Sequence, residues 1–149
     1  MKLRRIAAAF LAALMLMSLV ACGEKEPEMT DEEKIAYIAR QLANTSWMVQ
    51  GSPITSVYTF TINFGADLSF SLYGESFLHG NTDVECDAES KNLSVSTDAT
   101  GHNFDIKATA GKWDVSIPIL CDENLNLEYV GHCSFYSGGI RVTSKAEKL

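Results

Sequence analysis

The sequence has little positive charge. It contains 12 Lys and Arg residues against 19 Asp and Glu residues. Three of the basic residues lie within the first five positions, which leaves nine basic and 19 acidic residues from residue 22 onward, a formal charge near −10. A basic surface is the first requirement for binding nucleic acid. The composition therefore predicts that this chain has no nucleic-acid partner.

Motifs for catalysis and cofactor binding are also lacking. The sequence has neither a Gly-x-Ser-x-Gly nucleophile motif nor a glycine-rich loop that would hold a phosphate. Its three histidines do not have the spacing of metal ligands. We therefore expect a protein that is not an enzyme, with no catalytic residues, no cofactor and no metal ion.

Cysteine is scarce, with four residues in the chain and no Cys-x-x-Cys pair. This spacing indicates neither a redox motif nor a cysteine-rich zinc site. Cys86, Cys121 and Cys133 each share the phase of apolar residues in their segments, which predicts that they point to the apolar face. Across a hairpin turn, Cys121 and Cys133 are too far apart to bond. The sequence allows either three buried thiols or one disulfide and a free thiol.

The N-terminus has the pattern of an export signal. Met1–Arg5 carries three positive charges, and Ile6–Val20 contains no charged residue. A basic segment followed by an apolar run is typical of a secretory signal peptide. The run of 15 residues is short for a membrane-spanning helix, which needs about 20. The sequence therefore predicts that residues 1–21 form a signal peptide.

Residues Leu19-Val20-Ala21-Cys22 resemble the lipobox of bacterial lipoproteins. The resemblance implies that cleavage falls between Ala21 and Cys22 and that the thiol of Cys22 receives a diacylglycerol. Two acyl chains are enough for stable attachment to a membrane. We therefore expect a bacterial cell-envelope protein that is anchored through the lipid on Cys22 and faces the extracytoplasmic side.

The remainder of the chain predicts a tether, one helix and a single β domain. Residues 22–29 are polar and without periodicity, which indicates a tether. Thr30 and Glu33 have the spacing of a capping box before apolar residues at helical intervals, so we predict a helix over residues 31–43. Residues 30–149 have a suitable length for one domain.

From Trp47 onward, apolar and polar residues alternate, as in half-buried strands. Tyr58–Phe64 and Leu68–Leu72, joined at a glycine-containing turn, predict a β-hairpin. Similar runs continue to residue 144 and give eight or nine strands. Pro118 interrupts one run, which predicts an edge strand or a bulge there because proline has no N–H to donate. The pattern predicts an all-β antiparallel meander that forms a barrel, with a sandwich as the alternative.

The segment Leu42–Trp47, together with Tyr58–Phe64 and Leu68–Leu72, resembles the lipocalin-like domains of small bacterial lipoproteins. The resemblance implies an up-and-down barrel of about eight strands, with Trp47 at its closed end and a cavity opening at the other. This chain departs from the lipocalin Gly-x-Trp motif because Thr45 stands where the glycine would be. No C-terminal helix follows the last predicted strand.

Six aromatic residues are candidates for the interior of such a barrel. They either line a ligand cavity or fill the core, since small barrels are often packed solid. These residues are Trp47, Phe60, Phe70, Phe104, Trp113 and Tyr129.

A lipid anchor joined to a β-barrel pattern without catalytic motifs indicates a non-catalytic binding or envelope-associated module. Its expected partners are the membrane, through Cys22, and either a small apolar ligand or an extracellular protein. The alternative is a surface interaction protein with a solid core, for instance an inhibitor of an extracellular hydrolase. An enzyme is the least favoured interpretation.

Overall fold

The structure, a computed structural model, describes residues 28–52, 57–76, 82–86 and 93–149, with the backbone alone for residues 82–86. The predicted signal peptide, the lipobox and most of the tether precede these residues and lie outside the described part of the chain. The side chain of Cys86 also lies outside it. Residues Asp31–Leu149 form one compact unit.

The helix α1 spans Asp31–Leu42, so the predicted helix is confirmed and ends one residue early. Three acidic residues occupy its first turn, where negative charge stabilises the positive end of the helix dipole. The apolar face buries Ile38, Ala39 and Leu42 in the core. Asn44 has a φ of 61°, a left-handed conformation that ends the helix.

Ten strands are described after the helix, and the predicted all-β class is confirmed. Their alternating burial follows the alternation of apolar and polar residues in the sequence. They are β1 (Ser46–Gly51), β2 (Tyr58–Phe64), β3 (Phe70–Ser76), β4 (Thr82–Cys86), β5 (Leu93–Thr97), β6 (Phe104–Ala110), β7 (Trp113–Cys121), β8 (Leu127–Val130), β9 (His132–Ser137) and β10 (Ile140–Lys148).

The strands form one antiparallel meander in a curled, half-barrel sheet. The order across the sheet is β4-β3-β2-β1-β10-β9-β7-β6-β5, and β8 pairs with β7 beside β9. The first and last strands pair with each other, as in an up-and-down barrel. The two ends of the path, β4 and β5, follow one another in the chain, and β4 approaches β6 within 8 Å between Cα atoms. The predicted meander is therefore confirmed.

β8 and β9 are two parts of one interrupted strand opposite β7. The interruption is at Gly131, whose N–H donates to the carbonyl of Pro118 at 2.7 Å. A Cβ atom on Gly131 would lie 2.7 Å from Leu120 Cδ1, so this close approach favours glycine. β7 also pairs with β6, so the edge strand predicted at Pro118 is wrong. The alternative, a bulge, fits the partner strand, because the register opposite Pro118 shifts by one residue between the pairs Ser116↔Ser134 and Ile119↔Val130. The irregularity in β7 itself lies between Leu120 and Cys121.

Aromatic rings from β2, β7 and β9 meet in the interior of the sheet. Phe60 stacks on Phe135 with the ring centroids 3.9 Å apart. Trp113 meets Phe60 edge to face at 5.1 Å and Tyr58 at 5.8 Å. Rings this close are in direct contact, so this part of the interior is packed with side chains.

The side-chain amide of Gln41 fixes α1 to the turn between β7 and β8. Its Nε2 donates to the carbonyl of Leu125 at 2.7 Å, and its Oε1 accepts from the N–H of Leu127 at 2.8 Å. One side chain thus satisfies a backbone carbonyl and a backbone N–H of this turn. Leu125 itself has a φ of 61° and is buried.

Candidate functional site

Five of the six aromatic candidates are buried in the interior. Phe60 and Trp113 contact each other, and Phe70 packs edge to face on Phe64 with 6.0 Å between ring centroids. The buried residues are Trp47, Phe60, Phe70, Phe104 and Trp113. They belong to one continuous apolar core.

Tyr129 does not point into the interior. Its side chain is 40% exposed, and the ammonium of Lys145 lies 5.5 Å from the ring centroid. The sequence placed Tyr129 in phase with Cys133, but Val130 and Gly131 are both buried, so the alternation slips by one residue at the interruption. The prediction that Tyr129 lines the interior is therefore wrong.

Cys121 and Cys133 are free, buried thiols. Burial raises the pKa of Cys121 to about 11 and that of Cys133 to about 12. Because the thiolate is the nucleophilic form, both groups are inert at neutral pH. These two cysteines pack as small apolar side chains and do not indicate a catalytic site.

An open groove of about 490 Å³ crosses the outer face of the sheet from β5 to β10. We call it the outer groove. Its floor is formed by Ser94, Ser116 and Ser134 on β5, β7 and β9. These serines lie in one row across the sheet, because Ser94 pairs with Lys107, Lys107 with Ser116, and Ser116 with Ser134. Small side chains in one row leave a depression between the larger side chains of the neighbouring rows.

One wall of the outer groove combines an aromatic ring with charges of both signs. Tyr136 pairs with Asp114 on one side and with Arg141 on the other. The guanidinium carbon of Arg141 lies 5.6 Å from the centroid of the Tyr136 ring, which is a cation–π contact. Tyr136 is 42% exposed. Asp114 accepts a hydrogen bond from Thr109 at 3.3 Å, whereas Arg141 forms no ion pair with any described residue.

On the other side of the floor, Lys107 and Asp105 form an ion pair at 3.5 Å. The hydroxyl of Ser116 donates to Asp105 at 2.8 Å. The backbone of Lys107 lies between Ser94 and Ser116 in the floor row. Its ammonium nevertheless points to Asp105, two residues earlier on the same strand. A second depression of about 330 Å³ borders this row, and Ser116 lines both depressions.

The chemistry of the outer groove suits hydrogen bonding to a polar ligand. Serine hydroxyls both donate and accept hydrogen bonds, and an unpaired guanidinium offers five N–H donors. Lys107, Asp114 and Arg141 are the charged lining residues, and the ion pair between Lys107 and Asp105 leaves Asp114 and Arg141 as the charges beside Tyr136. No histidine lies among the described lining residues that could act as a base towards a serine.

The outer groove was not predicted from the sequence, because the predicted site residues were those expected to point inward from each strand. The polar residues at alternate positions were visible, and their outward direction follows from the alternation. The row of serines comes from three strand pairings between segments up to 40 positions apart, and no single segment contains that pattern.

Comparisons with known proteins do not assign the chain to a family. No family model matches it, and no curated protein sequence or solved structure is significantly similar to it.

Among the described residues, no helix is long and apolar enough to cross a membrane, and no three His, Cys, Asp or Glu side chains are grouped to hold a metal ion. The fold is an all-β antiparallel meander, and the outer groove is its candidate functional site.

Proposed function

We propose that the protein is a lipid-anchored, extracytoplasmic, non-catalytic binding module that holds its ligand in the outer groove. The outer groove, with its serine floor and with Arg141, which has no ion-pair partner among the described residues, is the observation that carries this proposal. Residues 1–22 support the proposed localisation, because a signal peptide and lipobox would leave the mature chain attached to the membrane by its lipid.

The packing of the interior supports a ligand site on the outside. Phe60 contacts both Phe135 and Trp113 at the place where a lipocalin-like cavity would lie. The outer groove is lined by hydroxyls and charges as well as by Leu93, Ala108 and Val115, so it suits a ligand with both polar groups and apolar faces better than the small apolar ligand expected from the sequence.

The contacts of the floor serines support binding over catalysis. A serine nucleophile needs a base within hydrogen-bond reach that takes its proton. Ser116 donates to the carboxylate of Asp105, which is already paired with Lys107. Asp105 thus binds both Lys107 and Ser116, and this arrangement orients the hydroxyl of Ser116 for hydrogen bonding.

An inhibitor of an extracellular hydrolase is the second candidate. Tyr129 and Tyr136 are both about two-fifths exposed on the outer side of the sheet. Exposed tyrosine is enriched in protein–protein interfaces, so these residues would suit a protein partner.

Photo-crosslinking in the bacterial envelope tests the binding site. The full chain would carry p-benzoylphenylalanine in place of Tyr136 or, as a matched control, in place of Tyr129. Both positions are exposed tyrosines that contact a cation, but only Tyr136 lines the outer groove. We expect a discrete adduct from position 136 and none of the same mass from position 129. The absence of any adduct at position 136 would contradict the proposal.

A further inference from the structure

We infer that the outer groove binds a linear glycan that carries carboxylate groups. This inference rests on the proposed function, since it names the ligand class of the same site. Four features carry it: the direction of the groove, the hydroxyls of its floor, the ring of Tyr136 and the guanidinium of Arg141.

The direction of the groove suits a chain-like ligand. The outer groove runs across the strands from β5 to β10 and is open to solvent. Neighbouring strands lie about 4.8 Å apart, so hydroxyls on adjacent strands repeat at about this interval. Ser116 and Ser134 follow one another in this way on β7 and β9, and Thr143 continues the row on β10 beyond the lining residues. The interval is comparable with the length of one residue in an extended pyranose chain.

The floor hydroxyls match a sugar better than a peptide. Sugar hydroxyls and serine hydroxyls can each donate and accept, so they satisfy one another in either direction. An extended peptide bound to a sheet gains its affinity from backbone hydrogen bonds at a free edge. β6, β7 and β9 are paired on both sides within this region, so their backbones are not free for such a ligand.

Tyr136 and Arg141 supply a stacking surface beside a cation. The exposed ring of Tyr136 can pack against the C–H face of a pyranose. The guanidinium of Arg141 is held over that ring and can bind a carboxylate with two parallel hydrogen bonds. A sugar stacked on Tyr136 would therefore place its carboxylate next to the guanidinium of Arg141, a group of opposite charge.

A glycan array tests the inference with the full chain purified in detergent. The array would carry linear oligomers of galacturonate, mannuronate and hyaluronan, each beside the same oligomer with its carboxylates methyl-esterified. We expect at least one acidic oligomer to bind about tenfold or more tightly than its ester, because hydrogen bonds to charged groups are the stronger ones. Arg141→Gln should abolish this preference, and Tyr136→Ala should weaken binding of both forms.

The Tyr129–Lys145 pair provides matched controls. It repeats the cation–tyrosine contact of Tyr136 and Arg141 outside the outer groove. Tyr129→Ala and Lys145→Gln should leave binding to the acidic oligomer unchanged. Equal binding of the esters, or an unchanged preference in Arg141→Gln, would overturn the carboxylate assignment.

The remaining outcomes separate this inference from the proposed function. Adducts from position 136 without binding of any oligomer would overturn the glycan and leave the outer groove as a binding site. If glycerol phosphate bound more tightly than the acidic oligomers, and Arg141→Gln removed that binding, the ligand would be a phosphate. This result would also overturn the glycan inference. The absence of both adducts and oligomer binding would overturn the inference and the proposed function together.

Discussion

The rings of Phe60 and Phe135 lie parallel across the interior, with centroids 3.9 Å apart and an interplanar angle of 6°. This contact joins β2 to β9, which are separated in the sheet by β1 and β10. Two elements on opposite sides of the curled sheet are therefore packed directly on each other. The stacked rings fill this part of the interior with side chains.

Replacing Phe135 with alanine should be strongly destabilising. The side chain is fully buried, and its loss would leave a cavity next to Phe60 and Trp113. We expect the free energy of unfolding to fall by about 3–5 kcal/mol in urea denaturation. Tyr129→Ala, which removes an exposed ring, is the control and should cost much less. A similar, small loss in both variants would indicate that the interior is hollow.

Gln41→Ala should release α1 from the turn between β7 and β8. The substitution leaves the carbonyl of Leu125 and the N–H of Leu127 without their partner. Losing the partner of a partly buried polar group costs about 1–3 kcal/mol, which urea denaturation would detect. The control is Gln50→Ala on β1, where the side chain is exposed. Equal stability of the two variants would show that the Gln41 contacts contribute nothing.

The turn before β6 should make the protein sensitive to acid. Hydrogen bonds from the side chains of Thr100 and Asn103 hold the pKa of Asp98 well below its usual value of 3.8. A carboxylate whose pKa is lower in the folded state stabilises the fold above the unfolded pKa, and this stability is lost as the pH falls through the folded pKa. The free energy of unfolding should therefore decline below about pH 4.

Asp98→Asn should remove part of this decline, because the amide does not ionise. Urea midpoints for both chains at neutral and acidic pH would measure the difference. Glu123→Gln, an exposed change in another turn, is the control. An equally steep decline in Asp98→Asn would show that Asp98 is not responsible.

Cys22→Ser should abolish membrane attachment if the lipobox is functional. Serine has no thiol to accept the diacylglycerol, so the variant should not incorporate labelled palmitate and should leave the membrane fraction. Cys121→Ser is the matched cysteine control and should still be labelled. Palmitate incorporation into Cys22→Ser would contradict the predicted anchor.

Local pattern was sufficient to predict the elements of the fold. The alternation in Tyr58–Phe64 predicts both the strand and its buried face, because successive side chains point to opposite sides. The same reasoning places Phe60 and Trp113 inside, as observed. It failed at Tyr129, because the interruption at Gly131 changes the phase without changing the composition of the segment.

The candidate site was less accessible to prediction than the fold. Ser94, Ser116 and Ser134 are ordinary polar residues in three separate strands. Only the registers that join these strands place them in one row with Tyr136 and Arg141 beside them. Nothing in their spacing along the chain distinguishes them from other outward-facing residues.

The sequence by itself determined the helix and the alternating strands, because each depends on residues that are neighbours along the chain. The tertiary structure decided which rings meet in the interior and which polar side chains form the outer groove. Those relationships depend on strand register and on the curl of the sheet, which arise only when distant segments pair and bury their apolar faces together.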